Sequence, residues 1–294
     1  MMDLSIVQKG IFEDVPQHGR FLFLDLHHEV KEQDVRDCLA ALCAQIDGES
    51  VVLGLGDATL NAVNATHLES LNFPSYDTRG VQVPSTPAAL WLWLRGDDLG
   101  EMTLQAQALI NAVTPVYELA DHIDSFKYKD GHDLTGYEDG TENPEGEEAF
   151  TAAFSEQPAG ASYVAVQQWQ HDLAHFKSKN QAEQDHVIGR SLETNEELDD
   201  APESAHVKRT EQEAFDPQTF LLRRSMAYGE GADAGLVFQA FAFSPESYSR
   251  ILAKMVGEED GIVDGLFSFT RPKTGAFFWC PPMKDGQPDL SSIL

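Results

Sequence analysis

One aspartate lies between two glycines in the segment Gly136-Tyr137-Glu138-Asp139-Gly140-Thr141-Glu142-Asn143-Pro144. Glycines on both sides let a backbone come close to a flat ligand and adopt turns that other residues avoid. The segment has no hydrophobic periodicity, which indicates a loop. It therefore predicts that the Asp139 carboxylate is presented to a bound group from a fixed direction. A Gly-x-x-Asp-Gly pattern alone is too short to identify a function.

The second half of the chain supplies a histidine and a pair of arginines. His206 follows the acidic stretch 193–203, and Arg223-Arg224-Ser225 comes later in the chain. Taken singly, such a histidine is more often a surface residue, and an Arg-Arg pair near a strand end is usually solvated. Their combination with the glycine-flanked aspartate is the informative feature.

A rival motif, His171-Asp172-Leu173-Ala174-His175, has the i, i+4 spacing of helical zinc sites. Metalloprotease chemistry requires a glutamate where Asp172 stands, and no third ligand follows at a recognisable spacing. Structural histidines are therefore the favoured interpretation of this motif.

Charge limits the partners of this protein. The 294 residues include 49 Asp and Glu against 20 Lys and Arg, for a net charge of −29. Such a field repels nucleic acid and anionic membrane surfaces, so we expect neither as a partner. An anionic ligand must instead find a local cluster of arginines.

Several sequence features favour a cytoplasmic protein. No basic region followed by an apolar run marks a signal peptide at the start of the sequence. No apolar stretch approaches the roughly 20 residues of a membrane span. Cys38, Cys43 and Cys280 are odd in number and have apolar neighbours, which indicates reduced thiols.

Two similar runs of secondary structure are predicted to position the polar residues. The first run has strands near residues 21–26, 51–55, 89–94 and 116–119, with helices near 33–46 and 98–113. The second run has strands near 163–168, 207, 220–224, 236–243 and 266–278, with helices near 172–187 and from Ser244 to Gly257. The repeated order predicts a duplicated α+β fold with antiparallel sheets covered by helices.

A known family combines all of these motifs. The loop at 136–144, His206, Arg223-x-Ser225-Met226 and Asp264-Gly-Leu-Phe-Ser-Phe-Thr-Arg-Pro-Lys-Thr-Gly275 together resemble the dye-decolourising peroxidases, most closely the compact bacterial type without a secretion signal. Ile188-Gly189-Arg190 and Gln170-His171-Asp172-Leu173 are similar to the family as well. The resemblance covers nearly the whole chain and agrees in order, spacing and length.

The resemblance implies a fold and an activity. It implies tandem duplicated ferredoxin-like domains, here 1–140 and 141–294, with heme b in the C-terminal domain. The implied enzyme is a peroxidase that reduces hydrogen peroxide and oxidises aromatic, dye-like or porphyrin donors by one-electron steps. The resemblance further implies a homo-oligomer, from dimer to hexamer, and a nanocompartment shell as a partner, since some relatives are loaded into such shells through a C-terminal tail.

The resemblance also implies roles for individual residues. His206 would ligate the heme iron, and Asp264 would hold the other ring nitrogen of that histidine. Asp139 would move the peroxide proton, and Arg223 would offset the charge that develops on oxygen. Ser225 stands where some relatives carry asparagine, and it donates fewer hydrogen bonds to distal water.

The heme edge requires further contacts. Arg190 and Arg224 are the candidate cations for the propionates in this acidic chain. Loop contacts at the edge are expected from Glu138, Gly140, Thr141 and Glu142. For Arg190, a role at the end of a helix is the alternative.

Other interpretations stay open at this point. The chain is alternatively a heme-binding or heme-handling protein with incidental peroxidase activity, or a non-heme acidic binding module. Trp169 and Tyr137 are candidate surface relays for electrons from bulky donors, whereas Trp91, Trp93 and Trp279 have the apolar surroundings of core residues.

Overall fold

The computed structural model describes residues 2–65 and 67–294. The strands are β1 (His18–Leu26), β2 (Val51–Leu55), β3 (Tyr76–Thr78), β4 (Val81–Val83), β5 (Leu90–Gly96), β6 (Tyr117–Phe126), β7 (Ser162–His171), β8 (Leu222–Arg223), β9 (Met226–Glu230), β10 (Asp233–Ala242), β11 (Thr270–Pro272), β12 (Ala276–Cys280), β13 (Met283–Lys284) and β14 (Gln287–Pro288). The α-helices are α1 (Lys9–Phe12), α2 (Glu32–Cys43), α3 (Asp57–Ala62), α4 (Leu99–Val113), α5 (Gly146–Ala153), α6 (Leu173–Ser178), α7 (Gln181–Ile188), α8 (His206–Thr210) and α9 (Pro245–Met255). Short 3-10 helices span Gln212–Ala214 and Gly265–Ser268.

The main sheet closes on itself. Its strands run β2-β5-β1-β6-β9-β10-β7-β12, and β12 pairs again with β2. Every one of these pairings is antiparallel. The two joints between the halves are short, with one residue pair between β12 and β2 and two residue pairs between β6 and β9. The ring therefore consists of two four-stranded halves that meet edge to edge.

The two halves share one strand order. The hairpin of β3 and β4 forms a separate small sheet, so the first half of the ring contains β1, β2, β5 and β6 in chain order. In the ring these four strands lie in the order β2-β5-β1-β6, that is second, third, first and fourth. In the second half, β9-β10-β7-β12 gives the same order, and the short strands β8 and β11 add to β10 and β7. The repeated order of elements that the sequence predicts is thus present in the strand arrangement.

Aromatic side chains from several strands of the ring form one buried cluster. Trp91 stacks on Phe21 and on Phe278, with ring centroids 6.4 and 5.7 Å away. Trp93 packs on Phe21 at 6.0 Å and on Phe241 at 6.3 Å. All five side chains are fully buried, as the apolar alternation of β5 predicts for its tryptophans.

Local signals set several element boundaries. Asp98 caps α4 by accepting hydrogen bonds from the backbone N–H groups of Gly100 and Glu101 at 2.7 and 3.0 Å. Ser244 caps α9 in the same way, Pro245 occupies its first turn, and Gly257 follows its end with φ of +70°. These two helices and β2 agree closely with the sequence-based prediction.

Other boundaries differ from the prediction. The strand predicted near Val207 is wrong, because this residue lies in α8. Arg209 of α8 is buried and pairs with Asp260 at 2.7 and 2.9 Å, so tertiary contacts override the β propensity of valine. The helix predicted at 172–187 is two helices, since the Asn180 capping box begins α7 anew.

The last stretch of the prediction is only partly correct. The residues predicted to carry the final strand material, 266–278, form a 3-10 helix followed by β11 and β12. The strand predicted at 220–224 is reduced to β8. Among the described residues, no helix has both the length and the apolar character of a membrane span.

Candidate active site

A cavity lies between the 133–139 loop, α8, α9 and the strands β8 and β10, with about 950 Å³ of empty space when the solvent at its open side is included. His206, Asp139 and Arg223 all line it. Most of the remaining wall is apolar, with side chains from Ile188, Leu221, Leu236, Phe238, Ile251, Met255, Leu266 and Phe269. A large apolar cavity with a few convergent polar groups is typical of a cofactor site.

His206 is held in a defined orientation. It is the first residue of α8, and its Nδ1 lies 2.8 Å from Oδ2 of Asp264, whose side chain is fully buried. The other carboxylate oxygen of Asp264 accepts a hydrogen bond from the Leu266 N–H at 2.8 Å. Because Nδ1 is engaged, Nε2 is the ring nitrogen left for a group in the cavity.

The aspartate loop is fixed by backbone geometry. Gly136 and Gly140 have φ of 106° and 87°, in the region that side chains disfavour. Between them, the Asp139 N–H donates to the carbonyl of Gly131 at 3.0 Å. The flanking glycines therefore allow the turns that bring the Asp139 side chain to the cavity wall.

Asn143 ties this loop to the strand that carries Arg223. Its side-chain amide donates to the Arg223 carbonyl at 3.0 Å and accepts from the Arg223 N–H at 2.8 Å. The Nε atom of Arg223 is buried and has no hydrogen-bond partner in the described part of the chain. A buried guanidinium nitrogen with its donor free fits an anionic or oxygen ligand in the cavity.

Ser225 and Arg224 lie beside the cavity. Both line a neighbouring pocket that shares Asp139 and Arg223 with the cavity. The Ser225 hydroxyl is buried and has no partner among the described residues. Arg224 donates to the carbonyls of Phe12 and Arg223, and burial lowers the pKa of Arg224 to about 10. The Arg224 guanidinium is therefore directed to backbone oxygens, and Arg224 is absent from the described lining of the cavity.

The predicted edge residues surround a third pocket, which shares His206, Asp139 and Arg223 with the cavity. They are Glu138, Gly140, Thr141, Glu142 and Arg190. Arg190 donates to the Asn195 carbonyl at 2.8 Å and forms an ion pair with Glu142. Asn195 in turn donates to Glu138 at 2.7 Å and to Thr141 at 2.9 Å. A polar network thus links the loop to the segment after α7.

A histidine–carboxylate pair lines the cavity in addition to the predicted residues. His171 lies 2.9 Å from Asp133 through Nε2 and 2.6 Å from the Thr270 hydroxyl through Nδ1. Burial alone would raise the pKa of Asp133, but hydrogen bonds from His171 and Thr135 bring that pKa below its usual value. In the sequence, His171 belongs to the zinc-like motif and to the family-like segment Gln170-His171-Asp172-Leu173, neither of which gives it a role, and Asp133 carries no local signal.

The structure separates the two histidines of the zinc-like motif. His171 ends β7, whereas His175 lies in α6, so the two side chains do not share one helix. Throughout residues 2–65 and 67–294, no group of three or more His, Cys, Asp or Glu side chains could hold a metal ion. Trp169 and Tyr137, the candidate surface relays, are each only 5% exposed and line the cavity.

Comparison with known proteins identifies similar chains. Residues 130–285 match the model of the Dyp-type peroxidase C-terminal family. The sequence is 33% identical to a dye-decolorizing peroxidase of Rhodococcus erythropolis, with coverage of 100% of this chain and 92% of that protein.

Solved structures show the same fold. A variant of Rhodococcus jostii DypB in complex with heme has a TM-score of 0.81 at 26% identity, covering 94% of this chain and 96% of that chain. The encapsulated DyP-type peroxidase of Mycobacterium smegmatis has a TM-score of 0.84 at 26% identity, with the same coverage of 94% and 96%.

Proposed function

The chain belongs to the Dyp-type peroxidase family and is a heme-dependent peroxidase, and on this premise we propose how its residues divide the work. The cofactor is heme b, bound in the cavity lined by His206, Asp139 and Arg223. The enzyme reduces hydrogen peroxide and oxidises aromatic, dye-like or porphyrin donors one electron at a time. The observation that carries this proposal is the His206–Asp264 hydrogen bond in the wall of a cavity that also contains Asp139 and Arg223.

The domain division proposed from the sequence is 1–140 and 141–294, each a ferredoxin-like unit, with heme in the second. The shared strand order of the two half-rings supports this division, as do the short joints between them. His206, Arg223 and Asp264 all belong to the second unit, whereas Asp139 lies at its boundary.

The residues fit an iron porphyrin. The wall is mainly apolar, as a porphyrin ring requires, and the His206 imidazole has one nitrogen engaged and one available. His206 would hold the iron through Nε2. The buried Asp264 carboxylate would accept a hydrogen bond from the Nδ1–H group, which fixes the tautomer and makes the imidazole more electron-donating. When bound, heme supplies the electrons that reduce peroxide and takes them back from donors.

Asp139 and Arg223 would handle the peroxide itself. The Asp139 carboxylate accepts a proton from one peroxide oxygen and returns it to the other as that oxygen leaves. The Arg223 guanidinium offsets the negative charge that develops on the leaving oxygen. Ser225, with an unsatisfied hydroxyl in the adjoining pocket, is proposed to order water that approaches this pair.

The propionates would face the pocket that contains Arg190. This arginine, Glu138, Gly140, Thr141 and Glu142 are proposed to contact the heme edge, with Arg224 as a more distant cation. Arg190 lines this pocket together with several carboxylates, and its positive charge is proposed to compensate the anionic edge.

The proposed setting is a cytoplasmic homo-oligomer, from dimer to hexamer. Cys38, Cys43 and Cys280 are free, which supports a reducing compartment. Similarity to the encapsulated Mycobacterium smegmatis protein supports the proposal of a nanocompartment shell as a partner.

Two variants test the roles of the cavity residues. Titration of the heme-free protein with hemin should give a Soret band, and His206→Ala should weaken hemin binding. Asp139→Asn with Arg223→Leu should keep the Soret band and slow the reaction with peroxide by about a hundredfold or more. Asp97→Asn, which changes an exposed carboxylate, is the matched control. Unchanged peroxide kinetics in the double variant would remove the roles assigned to this pair.

A further inference from the structure

The turn that carries Asp139 needs support from outside its own loop. Gly140 follows the aspartate with φ of 87°, and without a Cβ atom its backbone is free to adopt other conformations. The Asp139 N–H is tied to the Gly131 carbonyl, but this bond fixes only the entry to the turn. The direction of the Asp139 carboxylate therefore also depends on what holds the residues on either side, Glu138 and Thr141.

One asparagine supplies that support from the segment after α7. The Nδ2 atom of Asn195 donates to Oε2 of Glu138 at 2.7 Å and to Oγ1 of Thr141 at 2.9 Å. These two acceptors belong to the residue before Asp139 and to the residue after Gly140. A single amide group therefore bridges the Asp139-Gly140 turn from one side to the other.

The segment that carries Asn195 is itself held in place. The Asn195 N–H donates to the Ser191 carbonyl at 2.9 Å, and the Asn195 carbonyl accepts from Nη1 of Arg190 at 2.8 Å. At the base of the segment, the Leu198 N–H donates to the Gly189 carbonyl at 3.0 Å. A closed, hydrogen-bonded stretch of chain therefore presents the amide to the aspartate loop.

Three requirements at position 195 select asparagine. The backbone φ of +58° lies in the left-handed region, which asparagine adopts more readily than most residues with a side chain. The NH2 group carries two hydrogens, as the two acceptors require. An ionised aspartate of the same shape would have no hydrogen to donate and would place a second negative charge against Glu138. The contact is thus specific to an uncharged amide on a left-handed backbone.

We propose that Asn195 is a positioning residue for the peroxide reaction and acts through the Asp139 turn. This inference rests on the proposed function, in which Asp139 moves a proton between the peroxide oxygens. Proton transfer requires the carboxylate to stay within hydrogen-bond reach of both oxygens, so a small displacement of the turn slows the reaction. The partners of Asn195 are protein atoms, so it holds the turn in the heme-free protein as well.

A short set of variants tests this role. Asn195→Gly keeps the left-handed backbone and removes the amide, whereas Asn195→Asp keeps the shape and replaces the donor by an acceptor. Glu138→Gln is made alone and together with Asn195→Asp, since the introduced amide can donate to the introduced carboxylate and restore the contact. Glu193→Gly, at an exposed position of the same segment, is the matched control.

Hydrogen exchange of the heme-free proteins measures the turn itself. Backbone amides of residues 138–142 should exchange about fivefold or more faster in Asn195→Gly and Asn195→Asp than in wild type, because two hydrogen bonds to the loop are lost. Glu193→Gly should exchange like wild type in this region.

Stopped flow of the heme-loaded proteins measures the consequence for Asp139. Both Asn195 variants should react with peroxide about fivefold or more slowly than wild type and Glu193→Gly. In the Glu138→Gln background, Asn195→Asp should change the peroxide rate and the exchange rate less than twofold. A purely structural loss at position 195 would not be cancelled in this way.

Three outcomes would overturn the proposal. They are exchange within twofold of wild type in both Asn195 variants, faster exchange with an unchanged peroxide rate, and an equal cost of Asn195→Asp with and without Glu138→Gln. A heme-loaded wild-type protein that does not react with peroxide would instead refute the proposed function, and the exchange measurements would still decide whether Asn195 holds the turn.

Discussion

Replacing Asp264 by asparagine keeps the size of a fully buried side chain but removes its negative charge. Asp264 accepts hydrogen bonds from His206 and from the Leu266 N–H, both at 2.8 Å. An asparagine oxygen can still accept from the imidazole and keep the ring in place, while the asparagine NH2 group then faces the Leu266 N–H, which loses its acceptor. What changes is the electron-donating power of His206 toward the iron.

The expected shift of the iron midpoint potential follows from the direct, buried contact between Asp264 and His206. Removing the outer partner of a metal-ligating histidine typically changes metal affinity or activity by about 10- to 100-fold. If that factor acts on the ferric state alone, the iron midpoint potential rises by about 59 mV for tenfold and about 118 mV for a hundredfold. The sign is upward because a less basic imidazole stabilises the ferric state less.

Spectroelectrochemical titration of the heme-loaded variant measures this shift directly. Asp25→Asn, at an exposed position of β1, is the control and should leave the potential unchanged. A potential within about 20 mV of wild type, in a variant that still binds heme through His206, would refute the argument that the Asp264 charge tunes the iron.

Three further perturbations probe the loop and its partners. Asn143→Ala removes both hydrogen bonds to the Arg223 backbone, so urea denaturation should show a loss of about 1–3 kcal/mol and stopped flow a slower peroxide reaction; wild-type values for both would contradict the positioning role. The depressed pKa of Asp133 means that its contribution to stability is complete above the unfolded value of about 3.9 and is lost as pH falls through the lower folded value. Asp133→Asn should accordingly flatten the acid side of a stability–pH curve, and an unchanged curve would argue against an ionised carboxylate. Glu142→Gln frees Arg190 from its ion pair, so the hemin affinity of the variant relative to wild type should rise severalfold at low ionic strength and less in high salt. The same affinity ratio at both salt concentrations would contradict the idea that Glu142 and the hemin propionates compete for this arginine.

Several features of the fold were predictable because their causes are local. The alternating tryptophans of β5, the Asp98 cap of α4 and the Ser244-Pro245 start of α9 each depend on neighbours within a few residues. The loop at 136–144 was predictable for the same reason, since glycines at 136 and 140 specify its turns.

Other features depend on contacts that no local pattern records. Val207 has the side chain of a strand former but lies in a helix, because α8 is held by the ion pair between the buried Arg209 and the exposed Asp260. Asn143 stands inside the recognised motif, yet its bonds to Arg223 span 80 residues of sequence. His171 acquires a buried carboxylate partner 38 residues earlier in the chain.

The sequence alone determined which chemical groups this protein carries: an imidazole, a carboxylate and a guanidinium in family order, on elements whose periodicity and caps are encoded nearby. Only the tertiary structure decided that the sheet closes into a ring, that Asp133 and His171 join the cavity wall, and that a second pocket adjoins it. The physical reason is distance along the chain. Strand pairing and buried polar contacts are selected by the packing of remote segments, whereas turns and caps are selected by adjacent residues.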